Sequence, residues 1–238
     1  RRVRVAAASD GHKGRADNPA RWRGHLDNRW PSKRKLRSVR HHTAIPYDEL
    51  PAFMARLRRS EFVSARALEF TILTAARTGE VIGARWPEID TAAKVWTVPA
   101  SRMKAGREHR VPLSDRAIEL LTALPREDDN NHIFIGARKG AGLSNMAMLE
   151  LVKGAGVTVH GFRSTFRDWA AETTAYPNHV VEMALAHLIG DKVEAAYRRG
   201  DLFEKRRRLM RDWATYCAKT PKAVAKTRDN VVAMRASA

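Results

Sequence analysis

Three short segments of this chain hold side chains suited to gripping an anion. Arg77 closes an apolar run in Thr74-Ala-Ala-Arg-Thr-Gly-Glu-Val81, where a guanidinium that cannot lose its proton must find an anion or stay wet. Glu80 lies three residues on, so Arg77 reads either as half of a structural ion pair or as a phosphate ligand that Glu80 orients. His160-Gly-Phe-Arg163 sets a histidine and an arginine on one face at the start of a helix, where free N–H groups also favour an anion. Phe162, Phe166 and Trp169 recur on the opposite, core-facing side, so His160 and Arg163 are expected to project together away from the core. An ordinary solvated face is the alternative. The third segment runs from His187 to Tyr197, which Arg198 and Arg199 follow. Of the four tyrosines, Tyr47 and Tyr176 lie beside prolines and Tyr216 shares an apolar stripe with Phe203, Leu209 and Trp213, so these three read as packing residues. Tyr197 ends a short helix that opens at Asp191; alone it is either a half-buried ring or a phenol set among cations. His187 alone reads more readily as a satisfied structural histidine.

Taken in order, Arg77, Lys104, His160, Arg163, His187 and Tyr197 resemble the active-site series of the tyrosine recombinases, the phage-integrase family. The likeness covers about residues 46–218. The wording of Met103-Lys-Ala-Gly-Arg-Glu-His-Arg-Val-Pro-Leu113 and Ala195-Ala-Tyr-Arg-Arg199 is most like integrases of prophages and genomic islands. The resemblance implies a site-specific recombinase that cleaves and rejoins DNA through a 3′-phosphotyrosyl intermediate, integrating or excising a mobile element. A phenol with an ordinary pKa near ~10 is a poor nucleophile at neutral pH and needs nearby positive charge. Arg77 and Arg163 would supply it while clamping the non-bridging oxygens, with Glu80 in support. Lys104 would protonate the departing 5′ oxygen, although Arg107 and Lys94 offer cations close by, and His160 and His187 would move protons or fix the phosphate. No metal or other cofactor is implied. The implied partners are double-stranded DNA at attachment sites, further protomers in a tetrameric synapse, and accessory DNA-bending proteins; the implied place is the bacterial cytoplasm, at the nucleoid when DNA is bound. Ala186 precedes His187 where many members carry Gly. The rival readings are a type IB topoisomerase-like relaxing enzyme and a non-catalytic DNA-binding module in which Tyr197 is structural.

The elements that must position these residues follow from hydrophobic spacing. Leu50, Phe53, Met54 and Leu57 give one buried stripe to a helix near 47–58. A second helix, capped by Ser64 and running to about Ala76, is apolar nearly all round and should be central. After Thr78-Gly79 the pattern changes to two short strands, 95–98 and 109–113, with 101–108 as their hairpin turn. Ser114 caps a helix to about Leu124, and helices near 145–152, 161–172, 178–185, 191–199 and 203–218 complete the expected order. The fold class is therefore mainly α with a small antiparallel β-sheet (α+β), and the resemblance implies the tyrosine recombinase catalytic-domain fold. It also makes residues 1–44 the end of a core-binding domain with a basic linker, 45–220 the catalytic domain and 221–238 a disordered basic tail. The last helix carries Phe203, Leu209, Met210 and Trp213, which either dock on a neighbouring protomer or pack on their own core.

Charge distribution agrees with a polyanionic partner. The formal net charge is +18, of which residues 1–40 carry +10 and residues 198–238 carry +8, while 41–197 holds nineteen cations and nineteen anions. Basic ends around a neutral centre suit arms that track a phosphate backbone. The single Cys217 excludes an internal disulfide and fits a reducing compartment, and no Cys/His cluster suggests structural zinc. No apolar run approaches the roughly 18–20 residues of a membrane span, so no membrane is expected among the partners. The chain starts at Arg1 rather than Met, as a piece of a longer protein would.

Overall fold

A computed structural model of the chain describes residues 43–187 and 200–220. All of them belong to the unit His42–Ala238, and the expected helix at 191–199 lies outside them. A 3-10 turn, Tyr47–Glu49, leads into α1 (Leu50–Leu57), whose Pro51 sits where a helix has no use for an N–H. Its buried stripe, Leu50, Phe53, Met54 and Leu57, is the expected one.

Helix α2 (Val63–Thr74) is the core, with Leu68, Phe70, Ile72 and Leu73 buried on every side. Its N-cap is the extended, exposed Phe62 and not Ser64, so the helix starts without a hydroxyl cap. Inside it Glu69 is fully buried and bonded by Nε of Arg58 at 2.7 Å and Nε of Arg116 at 2.9 Å. Burial pushes the Glu69 carboxyl up, but its bonds to Arg116 and Arg58 outweigh that and hold it below the usual carboxylate range. The helix ends at Ala75, which adopts a left-handed conformation (φ 51°) and turns the chain sharply.

A five-residue helix, α3 (Thr78–Ile82), follows where only a change of pattern was expected, too short to show a hydrophobic period. The sheet has three antiparallel strands in the order β1 (Ile89–Asp90), β2 (Val95–Val98), β3 (His109–Pro112). Trp96 pairs with Ile89 on one side and Val111 on the other, packs on Phe70, and donates to Glu88 at 2.9 Å. The two-residue β1 was not legible in the sequence. Ser114 caps α4 (Asp115–Thr122) as expected, its Oγ accepting from Ala117 N–H.

Helices α5 (Ala147–Val152), α6 (Gly161–Thr173), α7 (Asn178–Ala184) and α8 (Phe203–Cys217) complete the unit. Gly161 opens α6 where a Cβ would stand 2.2 Å from the Thr43 carbonyl oxygen, so this close approach admits only glycine. Helix α8 settles the two alternatives for its apolar face. Leu209, Met210 and Trp213 are buried in the same chain, Trp213 donates to the Ile72 carbonyl of α2 at 2.8 Å, and Phe166 meets it edge-on. That stripe is therefore not available to dock a second protomer. Among the described residues no helix is long and apolar enough to cross a membrane.

Candidate active site

Two sharp turns bring the arginines together. The chain reverses at Ala75 after α2 and again at Leu185–Ala186 after α7, where Ala186 is also left-handed (φ 50°). Each turn offers backbone carbonyls that no helix uses. Arg163, on the first turn of α6, gives Nη1 to the Ala75 carbonyl and Nη2 to the Leu185 carbonyl at 2.6 Å. Arg77, the residue before α3, reaches the Leu185 and Ala186 carbonyls with Nη2 at 3.4 and 3.3 Å. The two guanidinium groups thus converge on one strip of backbone.

Glu80 serves Arg77 twice. One carboxylate oxygen accepts the Arg77 backbone N–H at 2.9 Å, capping α3, and the other accepts Nη1 at 2.7 Å. The structural ion pair is present, and it leaves the Arg77 side chain 23% exposed while Glu80 is 5% exposed. Arg102, from the β2–β3 connection, adds a bond to the Glu80 carbonyl at 2.9 Å.

Arg163 departs from expectation. The spacing sets it on an exposed face with His160, yet it is 5% exposed, because the Ala75 and Leu185 turns cover its side of α6. Burial, and then the charge of Arg77, lower its pKa to about 10, while Glu80 and Glu182 oppose the shift. It stays charged at neutral pH. Its buried Nε finds no hydrogen-bond partner among the described residues. Two guanidinium groups are thus held close together, one of them buried.

His187 lies against this pair. Its Nε2 stands 3.0 Å from Nη2 of Arg163 and its Nδ1 2.7 Å from Oε2 of Glu182. A guanidinium only donates, so Nε2 is the acceptor and Nδ1 carries the proton. His160 ends on the surface at the N-cap of α6, with its carbonyl accepting the Arg163 N–H at 3.1 Å. Lys104 is exposed on the β2–β3 connection, as is Arg107, whereas Lys94 is committed to an ion pair with Asp115. Tyr197 lies outside the described residues.

The described tyrosines are all engaged elsewhere. Tyr176 donates to Asp212 at 2.7 Å and Tyr216 to the Tyr47 carbonyl at 3.0 Å. Burial and the bond to Asp212 push Tyr176 up to about 12, burial raises Tyr216, and Glu172 raises Tyr47. None is prepared to ionise. Sequence reasoning missed Glu182 and also His109, which burial and the Arg206 charge lower to about 4 beside Arg77 and Glu80. The signals for both depend on how distant segments meet, which no local spacing reports.

A model of the phage integrase family matches residues 44–201, which span the whole arginine pair, its supports and Tyr197. The chain belongs to the phage integrase family. Among its integrase relatives, the prophage integrase IntA of Escherichia coli (strain K12) is 35% identical over 192 residues, covering 77% of this chain and 45% of that protein. The integrase of Shigella phage Sf6 is 33% identical over 181 residues, covering 72% and 47%. This integrase-family chain spans about half the length of the curated relatives it matches. In fold it resembles the integrase of mycobacterium phage Brujita (TM-score 0.55, 18% identity, 74% of this chain and 58% of that one). It also resembles the XerA recombinase (TM-score 0.50, 12% identity, 75% and 65%). The helix-rich unit with its small three-stranded sheet is the architecture of an integrase catalytic domain.

Proposed function

We propose that the chain is the catalytic part of a site-specific recombinase that cuts and rejoins DNA through Tyr197. The observation that carries this reading is the convergence of the Arg77 and Arg163 guanidinium groups on the Leu185 carbonyl, with the His187 imidazole 3.0 Å from Arg163. A backbone phosphodiester is the anion that would answer the two cations. Arg77 and Arg163 take its non-bridging oxygens, where charge grows as phosphorus becomes five-coordinate. The Tyr197 phenol gives up its proton to His187 or His160, its oxygen bonds phosphorus, and the bond to the 5′ oxygen breaks. That oxygen takes a proton from Lys104. The 3′-phosphotyrosyl bond keeps the energy needed for rejoining, and reversal with a new 5′-hydroxyl exchanges the strands.

In this reading residues 1–44 end a core-binding domain and its basic linker, 45–220 form the catalytic domain, and 221–238 are a basic tail. The partner is double-stranded DNA at attachment sites, where protomers assemble as a tetrameric synapse with accessory DNA-bending proteins. Integration or excision of a prophage or related element in the bacterial cytoplasm, at the nucleoid, is the setting. The test is capture of a covalent adduct on nicked duplexes, whose short cleaved strand diffuses away and prevents rejoining. An adduct that resists detergent and disappears in Tyr197→Phe supports the reading; DNA binding without any adduct reduces the chain to a binding module.

A further inference from the structure

Glu182 stands between two cationic or donor groups and connects them. From α7, its Oε2 accepts from Nδ1 of His187 at 2.7 Å, and its Oε1 lies 2.8 Å from Nε of Arg167 as an ion pair that lacks hydrogen-bond alignment. His187 in turn accepts from Arg163 at 3.0 Å. Arg163 and Arg167 are neighbours one turn apart on α6, so the sequence Arg167, Glu182, His187, Arg163 leaves one helix, crosses to α7 and its following turn, and returns to the same helix. The Glu182 side chain is 19% exposed, against 40% for His187 and 57% for Arg167, so the carboxylate is the sheltered centre of this ring. The charged groups around the imidazole are Arg163 and Arg167 from α6 and Glu182 from α7, and Arg77, the residue before α3 and paired with Glu80, bonds the carbonyl of the adjoining Ala186.

We propose that Glu182 is the positioning residue for His187. It fixes the imidazole as the Nδ1–H tautomer and turns Nε2 toward Arg163, where the phosphate would sit, while Arg167 holds the carboxylate against the far side. The inference rests on the reading of His187 as part of the strand-cleaving site. A carboxylate behind an imidazole is a general way to hold one tautomer in one orientation. Glutamine is a poor replacement here: it carries no charge for Arg167 and offers one oxygen and one NH2, so either His187 or Arg167 faces a donor. If the NH2 faces His187, the ring is driven to the Nε2–H tautomer and loses its bond to Arg163.

The test uses the whole chain with 15N-labelled histidine and a pool of 5′-labelled nicked duplexes of random core sequence. Long-range 1H–15N spectra without DNA read the His187 tautomer, and the rate of adduct formation at saturating DNA is measured in Glu182→Gln, Glu182→Asp, His187→Ala and the Glu182→Gln/His187→Ala double variant. We expect Glu182→Gln to mix the tautomers and slow adduct formation roughly 10–100-fold, the range typical of a lost partner behind a ligating imidazole, with non-covalent DNA affinity unchanged. Glu182→Asp, which keeps both acceptors, should recover most of the rate. In the His187→Ala background Glu182→Gln should cost nothing further. An unchanged tautomer in Glu182→Gln, or an equal loss of rate with and without His187, overturns the positioning role. A normal rate in His187→Ala instead overturns the reading of His187 on which the inference rests.

Discussion

Replacing Arg163 by methionine separates the cost of holding the site from its use. The guanidinium is buried, and its pKa stands at about 10 against an ordinary 12.5, so the folded state disfavours its charge by roughly 3 kcal/mol. For a base whose folded pKa is depressed, that cost is present at all pH values below about 10 and is relieved only above it. Arg163→Met removes the cost at neutral pH and keeps an unbranched chain in the space. It also strips donors from the Ala75 and Leu185 carbonyls, at ~1–3 kcal/mol for each acceptor left dry, and from Nε2 of the 40% exposed His187, which water can answer. Leu185 is still within reach of Arg77, so about one full penalty and two partial ones oppose one gain. The two effects nearly cancel. Urea unfolding monitored by circular dichroism should therefore give a stability within ~2 kcal/mol of wild type, whereas breaking an ordinary buried ion pair costs ~3–5 kcal/mol. Adduct formation on nicked duplexes should fall by ~3–4 kcal/mol in barrier, as when one oxyanion donor is lost. A variant that loses more than 4 kcal/mol of stability, or that still cleaves at the wild-type rate, would refute the idea that Arg163 is held at a cost for an anion.

Three further outcomes can be checked. Ala186→Gly relieves a left-handed alanine worth ~1–2 kcal/mol and gives back ~0.5–1 kcal/mol of unfolded-chain entropy, so urea unfolding should show a gain of about 0.5–1 kcal/mol; a loss would mean the turn is not strained. Adduct formation should survive EDTA, because arginine and lysine supply the charge neutralisation that Mg²⁺ supplies in many phosphoryl transfers; abolition by EDTA with recovery on Mg²⁺ would contradict this. Deleting residues 1–40 and 219–238 should flatten the dependence of log affinity on log salt, since +14 of the net +18 lies in those ends; an unchanged slope would place the DNA contacts elsewhere.

Much of the scaffold was legible because it depends on local spacing. The stripe of α1, the all-round apolar α2, the Ser114 cap and the paired strands each follow from periods of 3.6 or 2 and from one capping hydroxyl. Phe62 stands at the cap position in place of Ser64 although its side chain is exposed, and no hydroxyl caps the start of α2. The site was legible as a set of residues in order but not as geometry. Spacing of three placed His160 and Arg163 on one open face, yet cover from Ala75 and Leu185, 88 and 22 positions away, buries only Arg163. The same distance hides Glu182, whose meaning exists only where α7 returns to α6. Ala186 was visible as a substitution for the family's glycine, and its left-handed backbone now gives that preference a cause.

Peptide mapping of the adduct trapped on a nicked duplex tests the central claim most directly. Proteolysis and mass spectrometry should find the nucleotide on the peptide carrying Tyr197, joined through its 3′ phosphate, and Tyr197→Phe should bind the duplex yet yield no adduct. A nucleotide on Tyr47, Tyr176 or Tyr216, or an adduct that persists in Tyr197→Phe, would contradict the account.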